Sequence, residues 1–264
     1  MMTGMIGQPT EARSHPCAGL RDVTALILAG GLGTRLRSVV PDRPKVLAPV
    51  AGRPFLAYLL DQLADAGIGR VVLCTGYLGK QIQGWLGPSY RALRVQYSEE
   101  VAPLGTGGAL RQAQPLIDSG TVLAMNGDSF CEVDLAESWA RHRERHAAAS
   151  ILVRWVPDAR RFGRVLVDDA GLIRGFDEKR GPKGPGWINA GIYWLSLDLV
   201  RTIPTGVAIS LEREVLPVWV EAGLVHGCPS EGAFLDIGTP EAYRHAQSFF
   251  GKRISATGAE TGDC

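Results

Sequence analysis

Long apolar runs, paired cysteines and an excess of charge of either sign are all missing from this chain of 264 residues. No segment approaches the roughly 20 apolar residues that a membrane-spanning helix requires. The opening MMTGMIGQPTEARSHPCAGL contains no apolar core of a signal peptide. The expected compartment is therefore the cytoplasm, with no membrane partner. Five cysteines, Cys17, Cys74, Cys131, Cys228 and Cys264, are odd in number, scattered and free of any C-x-x-C spacing, which argues against a disulfide framework or structural zinc. Reduced, mostly buried thiols are expected. Lys+Arg 28 against Asp+Glu 27 leaves a net charge of +1, so no global field would hold nucleic acid. Any anion bound here must be met by local charge.

Several chemistries are also missing. A dinucleotide fingerprint begun at Gly31 finds Leu36 where its third glycine belongs, and no Gly-Lys-Ser/Thr triplet completes a P-loop. No G-x-S-x-G nucleophile elbow occurs. His142 and His146 stand four apart, but Arg143 follows where a zinc protease needs Glu, so Arg141 to His146 reads as a solvated helix face.

What is abundant is glycine, 33 residues. Val23 to Ala29 is a continuous apolar run that suits a strand buried on both faces of a parallel sheet. Pro54 to Ala66 follows as an apolar-striped helix closed by Gly67. Strands at 70–75, 93–98 and 121–125 alternate with helices at 78–86, 105–114 and 134–148, which implies βαβ units with right-handed crossovers. Shorter strands at 150–156, 163–168, 171–177, 187–195, 224–228 and 233–237, with helices near 210–222 and 239–250, continue one mixed sheet. No internal repeat or hexapeptide ladder is present. Residues 1–22 and 251–264 read as disordered flanks around a single domain at 23–250, and Gly181 to Gly186 as a flexible connector.

Leu28-Ala-Gly-Gly-Leu-Gly-Thr-Arg-Leu36 lies directly after the first strand, at the carboxyl edge where open α/β sheets bind ligands. Its free amides can cradle phosphate, and Arg35 adds a planar charged fork. Lys45 follows ten residues on in Arg43-Pro-Lys-Val-Leu-Ala-Pro49.

Gly30-Gly-Leu-Gly-Thr-Arg-Leu36 with Pro44-Lys45 resembles the signature of the sugar-1-phosphate nucleotidyltransferases, and the resemblance runs over about residues 23 to 250. It implies an α/β, Rossmann-like nucleotidyltransferase fold with a central, mostly parallel mixed sheet flanked by helices. It also implies a reaction joining a nucleoside triphosphate to a sugar 1-phosphate with release of pyrophosphate. Ala29, Gly30, Gly31, Gly33, Thr34 and Arg35 would hold the nucleotide, together with Glu100, Gly105 and Thr106 of Tyr97 to Gly108. A carboxylate only accepts, so Glu100 would suit the adjacent N1–H and N2–H₂ donors of guanine; read alone, Glu99 and Glu100 are equally an exposed strand end. Asp128 of Asn126-Gly-Asp and Asp236 of Phe234-Leu-Asp-Ile-Gly-Thr would hold Mg²⁺, which takes one or two carboxylates with phosphates and water.

Arg35, Lys45 and Asp128 would form the catalytic set. Gly163, Glu178, Lys179 and Asn189 resemble the sugar-phosphate side, with Trp187 near the sugar. Thr239 and Pro240 read independently as a helix N-cap and first turn. Asp42 to Lys45, Ser210 to Leu216 and Phe234 to Gly238 resemble the D-glycero-α-D-manno-heptose 1-phosphate guanylyltransferases, which implies GTP and that sugar phosphate as substrates. A mannose-1-phosphate guanylyltransferase or a hexose-type uridylyltransferase is the alternative, and a non-catalytic sugar-nucleotide sensor the alternative of another class. A homo-oligomer is compatible with the sequence.

Overall fold

The computed structural model describes residues 19–162, 164–177 and 184–259. Gly163, Glu178 and Lys179, and residues 181–183 of the expected connector, lie outside them.

The first half alternates strand and helix. β1 (Thr24–Leu28) leads through the glycine loop to a hairpin of β2 (Pro49–Val50) and β3 (Arg53–Pro54), then α1 (Phe55–Asp65). β4 (Arg70–Thr75), α2 (Gly79–Leu86), β5 (Ser89–Tyr90), β6 (Leu93–Glu99), α3 (Gly105–Ala113), β7 (Thr121–Asn126), β8 (Ser129–Cys131) and α4 (Leu135–Glu144) complete it. The second half runs β9 (Ala149–Val156), β10 (Arg164–Val167), β11 (Ile173–Asp177), β12 (Gly186–Ser196), α5 (Leu197–Arg201), α6 (Leu216–Glu221), β13 (Val225–Ser230), β14 (Phe234–Asp236) and α7 (Pro240–Ala259).

One ten-stranded sheet carries the order β11-β10-β12-β7-β1-β4-β6-β5, with β9 on β12 and β13 on β9. β7, β1, β4 and β6 are parallel, whereas β12 runs antiparallel to both β7 and β9. The expected mixed sheet is thus parallel through β7, β1, β4 and β6 and between β9 and β13, and antiparallel where β12 joins the two parts. β1 is buried on both faces: Ala25 and Ile27 join Leu56, Leu59 and Leu63 of α1, while Leu26 joins Leu110 and Ala113 of α3. Each face removes a separate apolar layer from water.

Four expectations are corrected. Residues 20–22 form a 3₁₀ turn leading into β1, so order begins before 23; residues 1–18 lie outside the described residues. The expected tail at 251–264 is instead helical to Ala259, because Gly251 neither takes a positive φ nor stops the turn, and Arg253 pairs with Glu132; residues 260–264 lie outside. The helix expected over 210–222 opens as a π-helical turn, Leu211–Val215, capped by Ser210, before α6. Pro217, which has no N–H to donate, stands at that junction.

The fourth correction is His142, which faces inward rather than to solvent. Its ring stacks near Trp139 and Trp194, and Nδ1 lies 2.8 Å from Ser150 Oγ. The Asp134 carboxylate caps α4 through the amides of Ala136 and Glu137. Burial pushes the His142 imidazole down to about 4, below the ~6.5 of an unfolded histidine. The neutral ring is the folded form, so its stabilisation is complete above pH 6.5 and is lost as pH falls from there toward 4, by up to about 1.4 kcal/mol per pH unit. Urea unfolding of His142→Phe between pH 7 and 4.5 is expected to show a shallower acid-side loss than the wild type; equal slopes would remove His142 from the acid response.

Of the thiols, Cys74, Cys131 and Cys228 are free and buried; Cys17 and Cys264 lie outside the described residues.

Candidate active site

β1 and β7 are neighbours in parallel register, with Leu28 opposite Asn126, and the Gly127 amide donates to the Leu28 carbonyl at 3.0 Å. The strand-end loops at 29–36 and 127–128 therefore leave the sheet side by side. The Ala29 amide donates to the Cys74 carbonyl at 2.8 Å, which buries Ala29 at the root of the glycine loop. Gly33 turns the loop at φ +60°, a conformation costly for other residues, and Leu36, wholly buried, pins its far end. Thr34 and Arg35 project into solvent between these anchors. Buried Val46 and Leu47 likewise fix the 3₁₀ turn that starts at Lys45.

Asp128 and Asp236 come from different halves of the chain. β8 and β14 pair antiparallel with Asp236 opposite Ser129, and the Ile237 amide donates to the Asp128 carbonyl at 2.9 Å. Lys45 Nζ lies 2.6 Å from Asp128 Oδ2. Asp236 Oδ1 accepts from the Gly238 amide at 2.8 Å. A methyl group built on Gly238 would stand 3.0 Å from Asp236 Oδ1, 3.4 Å from an Arg35 guanidinium nitrogen and 3.5 Å from Lys45 Nζ. Three charged groups separated by up to about 200 positions thus converge on one glycine, and Asp128 joins them through Lys45.

Beside them a cavity of about 220 Å³ is lined by Gly30, Gly31, Glu100, Gly105, Thr106 and Asp128, among others. Gly33, Thr34 and Arg35 stand outside it. Glu100 lines it, half-buried; its Oε2 accepts the Leu104 amide at 2.8 Å, and its Oε1 lies over Gly30, where a side chain would have to displace the carboxylate. Burial raises the Glu100 pKa, partly offset by that amide.

Glycines 105 to 108 have a second task that local sequence does not reveal. The amides of Gly107 and Gly108 both donate to the Ile209 carbonyl, at 3.0 and 3.2 Å, and a side chain on Gly105 would strike the same carbonyl. Thr106 is also engaged: its hydroxyl donates to Glu212 Oε2 at 2.6 Å and accepts the Leu211 amide at 2.8 Å. Glu212 Oε1 accepts from the Tyr193 hydroxyl at 3.3 Å, and that hydroxyl accepts from Asn189 Nδ2 at 2.8 Å. The Asn189 carbonyl oxygen accepts the Gly191 amide. Asn189, expected as a free amide, is therefore held by its own strand, with one N–H left over. Glu212 and Tyr193 were not singled out from the sequence as site residues, since nothing local marks a pair that meets only when β12 lies against the turn at 211–215.

Thr239 caps α7 as expected, its hydroxyl accepting from the Ala242 amide at 3.2 Å. Trp187 packs edge-to-face on Trp155 rather than on any of these groups. A larger hollow of about 690 Å³ between α1 and α7 is rimmed by Asp61, Asp65, Glu132, Asp134 and Arg253; Asp61, Asp65 and Glu132 are paired with arginines there.

The two carboxylates fit a magnesium ion. Both are hard oxygen donors at one sheet edge, and among the described residues no group of three or more His, Cys, Asp or Glu side chains gathers for a metal. A two-carboxylate site leaves the remaining positions to phosphate and water.

A parallel sheet edge that sets a glycine loop, two cations and two carboxylates beside a small cavity defines a nucleotide-transferring class of protein. Residues 24–253 match the family described as nucleotidyl transferase, and the chain belongs to that family. Among its relatives, D-glycero-alpha-D-manno-heptose 1-phosphate guanylyltransferase of Aneurinibacillus thermoaerophilus is 36% identical over 223 residues, covering 84% of this chain and 96% of that protein. Mannose-1-phosphate guanylyltransferase of Mycobacterium tuberculosis is 36% identical over 84% of this chain but only 62% of its own length. Crystal structures of HddC from Yersinia pseudotuberculosis, alone and complexed with GMP-PN, superpose with a TM-score of 0.78 at 33% identity, covering 86% of this chain and 99% of theirs. Among the described residues, no helix is long and apolar enough to cross a membrane.

Proposed function

We propose that this chain transfers GMP from GTP to a sugar 1-phosphate, D-glycero-α-D-manno-heptose 1-phosphate in the first instance, giving the nucleotide sugar and pyrophosphate. The observation that carries the reading is the convergence of Arg35, Lys45 and Asp236 on Gly238, with Lys45 paired to Asp128, which lines the same cavity as Glu100. Identity to the heptose and mannose enzymes over most of the chain supports it.

Both substrates are anions, so the residues must neutralise and align them rather than supply a covalent intermediate. The Glu100 carboxylate accepts from the guanine edge, and Gly30 and Gly31 admit the nucleotide close to the backbone. Arg35, exposed and flexible, closes on the triphosphate. Lys45 exchanges its contact with Asp128 for the transferred phosphate. Asp128 and Asp236 would hold Mg²⁺, which when bound offsets phosphate charge. The sugar phosphate is already ionised, so no general base is needed. Lys179, Glu178 and Gly163 belong to the proposed acceptor side on the strength of resemblance, and Asn189 has one N–H to offer a sugar hydroxyl.

Pyrophosphate release with Mg²⁺, measured for GTP, ATP, UTP, CTP and dTTP against heptose, mannose and glucose 1-phosphates, tests this reading. The expected result is turnover with GTP and heptose 1-phosphate well above every other pair. A preference for UTP would move Glu100 away from guanine, and silence with all pairs would favour a non-catalytic sensor.

A further inference from the structure

Two consecutive arginines precede position 163, and the structure treats them differently. Arg160 is committed to Asp158: its guanidinium reaches both carboxylate oxygens at 2.6 to 3.1 Å. Arg161 points toward the carboxylates of the site. One of its nitrogens lies 3.5 Å from Asp236 Oδ2 and 3.5 Å from the Thr239 hydroxyl. These contacts are far longer than the 2.7 to 2.9 Å of a charge-assisted hydrogen bond, and its side chain is 49% exposed.

The placement is nonetheless built. Phe162 packs edge-to-face on Phe234, with ring centres 5.3 Å apart, on the strand that carries Asp236. The Phe162 amide donates to the carbonyl of buried Ala159, and the Arg161 guanidinium lies over the Phe162 ring at 5.4 Å. The backbone is thereby anchored while the guanidinium stays open. Arg35 and Lys45 gather at Gly238, on the Oδ1 side of Asp236, whereas Arg161 meets Oδ2. Arg161 also lies outside the cavity that Glu100 and Asp128 share.

We infer that Arg161 is a substrate-binding residue for the phosphate of the incoming sugar 1-phosphate, held across Asp236 from the cations that meet the triphosphate. This assignment rests on the proposed transferase reading. A planar fork with most of its donors uncommitted matches the two free oxygens of a phosphate monoester. Placed there, the phosphate is drawn in against the local carboxylates.

Steady-state kinetics of Arg161→Ala and Arg161→Lys, with GTP and the sugar 1-phosphate varied in turn, test the inference. In Arg161→Ala the KM for the sugar 1-phosphate is expected to rise about 10- to 100-fold, the worth of a charge-assisted contact, with the KM for GTP changing less than about twofold. Inhibition by inorganic phosphate, competitive with the sugar 1-phosphate, should weaken in parallel. Lysine should restore part of the loss, which a purely structural role would not predict. An unchanged acceptor KM, or a rise confined to GTP, in a variant that melts like the wild type would overturn the assignment of Arg161 while leaving the transferase reading intact. A wild type inactive on every pair would overturn both.

Discussion

Asp128→Asn is expected to lower turnover by a factor on the order of 10²–10³ or more, the loss that follows removal of a single preorganised charge-stabilising group, while the protein stays folded. Asp128 follows the end of β7, where the Gly127 amide binds the Leu28 carbonyl and the Ile237 amide binds Asp128's own carbonyl. Its backbone is therefore fixed whichever side chain it bears. Its side chain is 46% exposed and its ion pair with Lys45 is partly solvated; asparagine can still accept from Lys45, so the stability cost should stay near or below about 1 kcal/mol. Pyrophosphate release with saturating substrates, beside a thermal melt, separates the two effects. Near-normal turnover in a folded variant would sink the proposed metal role of Asp128.

Trp194→Ala should do the reverse, removing the fold before the chemistry. Trp194 is fully buried in the middle of β12, paired with Leu123 of β7. Its ring packs 5.0 Å from Trp139, and its indole N–H donates to Ser138 Oγ at 3.0 Å. Truncation leaves a cavity and strips one partner from the Ser138 hydroxyl, which keeps its bond to the Leu135 carbonyl; the loss is about 3–5 kcal/mol, out of the roughly 5–15 kcal/mol that holds a domain folded. The urea midpoint should fall sharply, and soluble yield with it. A loss under about 1 kcal/mol would mean that Trp139 and His142 close over the gap.

The strand ends on which the proposed site stands are legible along the chain because short stretches make them. The apolar run before Gly30 forms β1 because burial on both faces asks only for apolar residues, and Asp128 follows β7 because Asn126-Gly127 ends an equally apolar strand. His142 was misread for the same reason. A helix face studded with Arg141, Arg143 and Arg145 looks solvated by composition, yet the side that turns inward is decided by what lies beneath it, Ser150 of β9 and Trp194. The glycines at 105–108 were legible as a place of close approach, but not that the approaching group is the Ile209 carbonyl.

What the residues alone determined is the set of chemical groups: a glycine loop with Arg35, a proline-set Lys45, two carboxylates each ending a strand, and no other nucleophile or metal motif. Only the tertiary structure decided how they combine. Asp236 reaches Asp128 through the pairing of β14 with β8, Glu212 reaches Thr106 and Tyr193 through the turn at 211–215, and Arg161 reaches Asp236 through Phe162 on Phe234. Strand register and side-chain packing join residues from 19 to more than a hundred positions apart, and no local pattern encodes which of many carboxylates a given cation will meet.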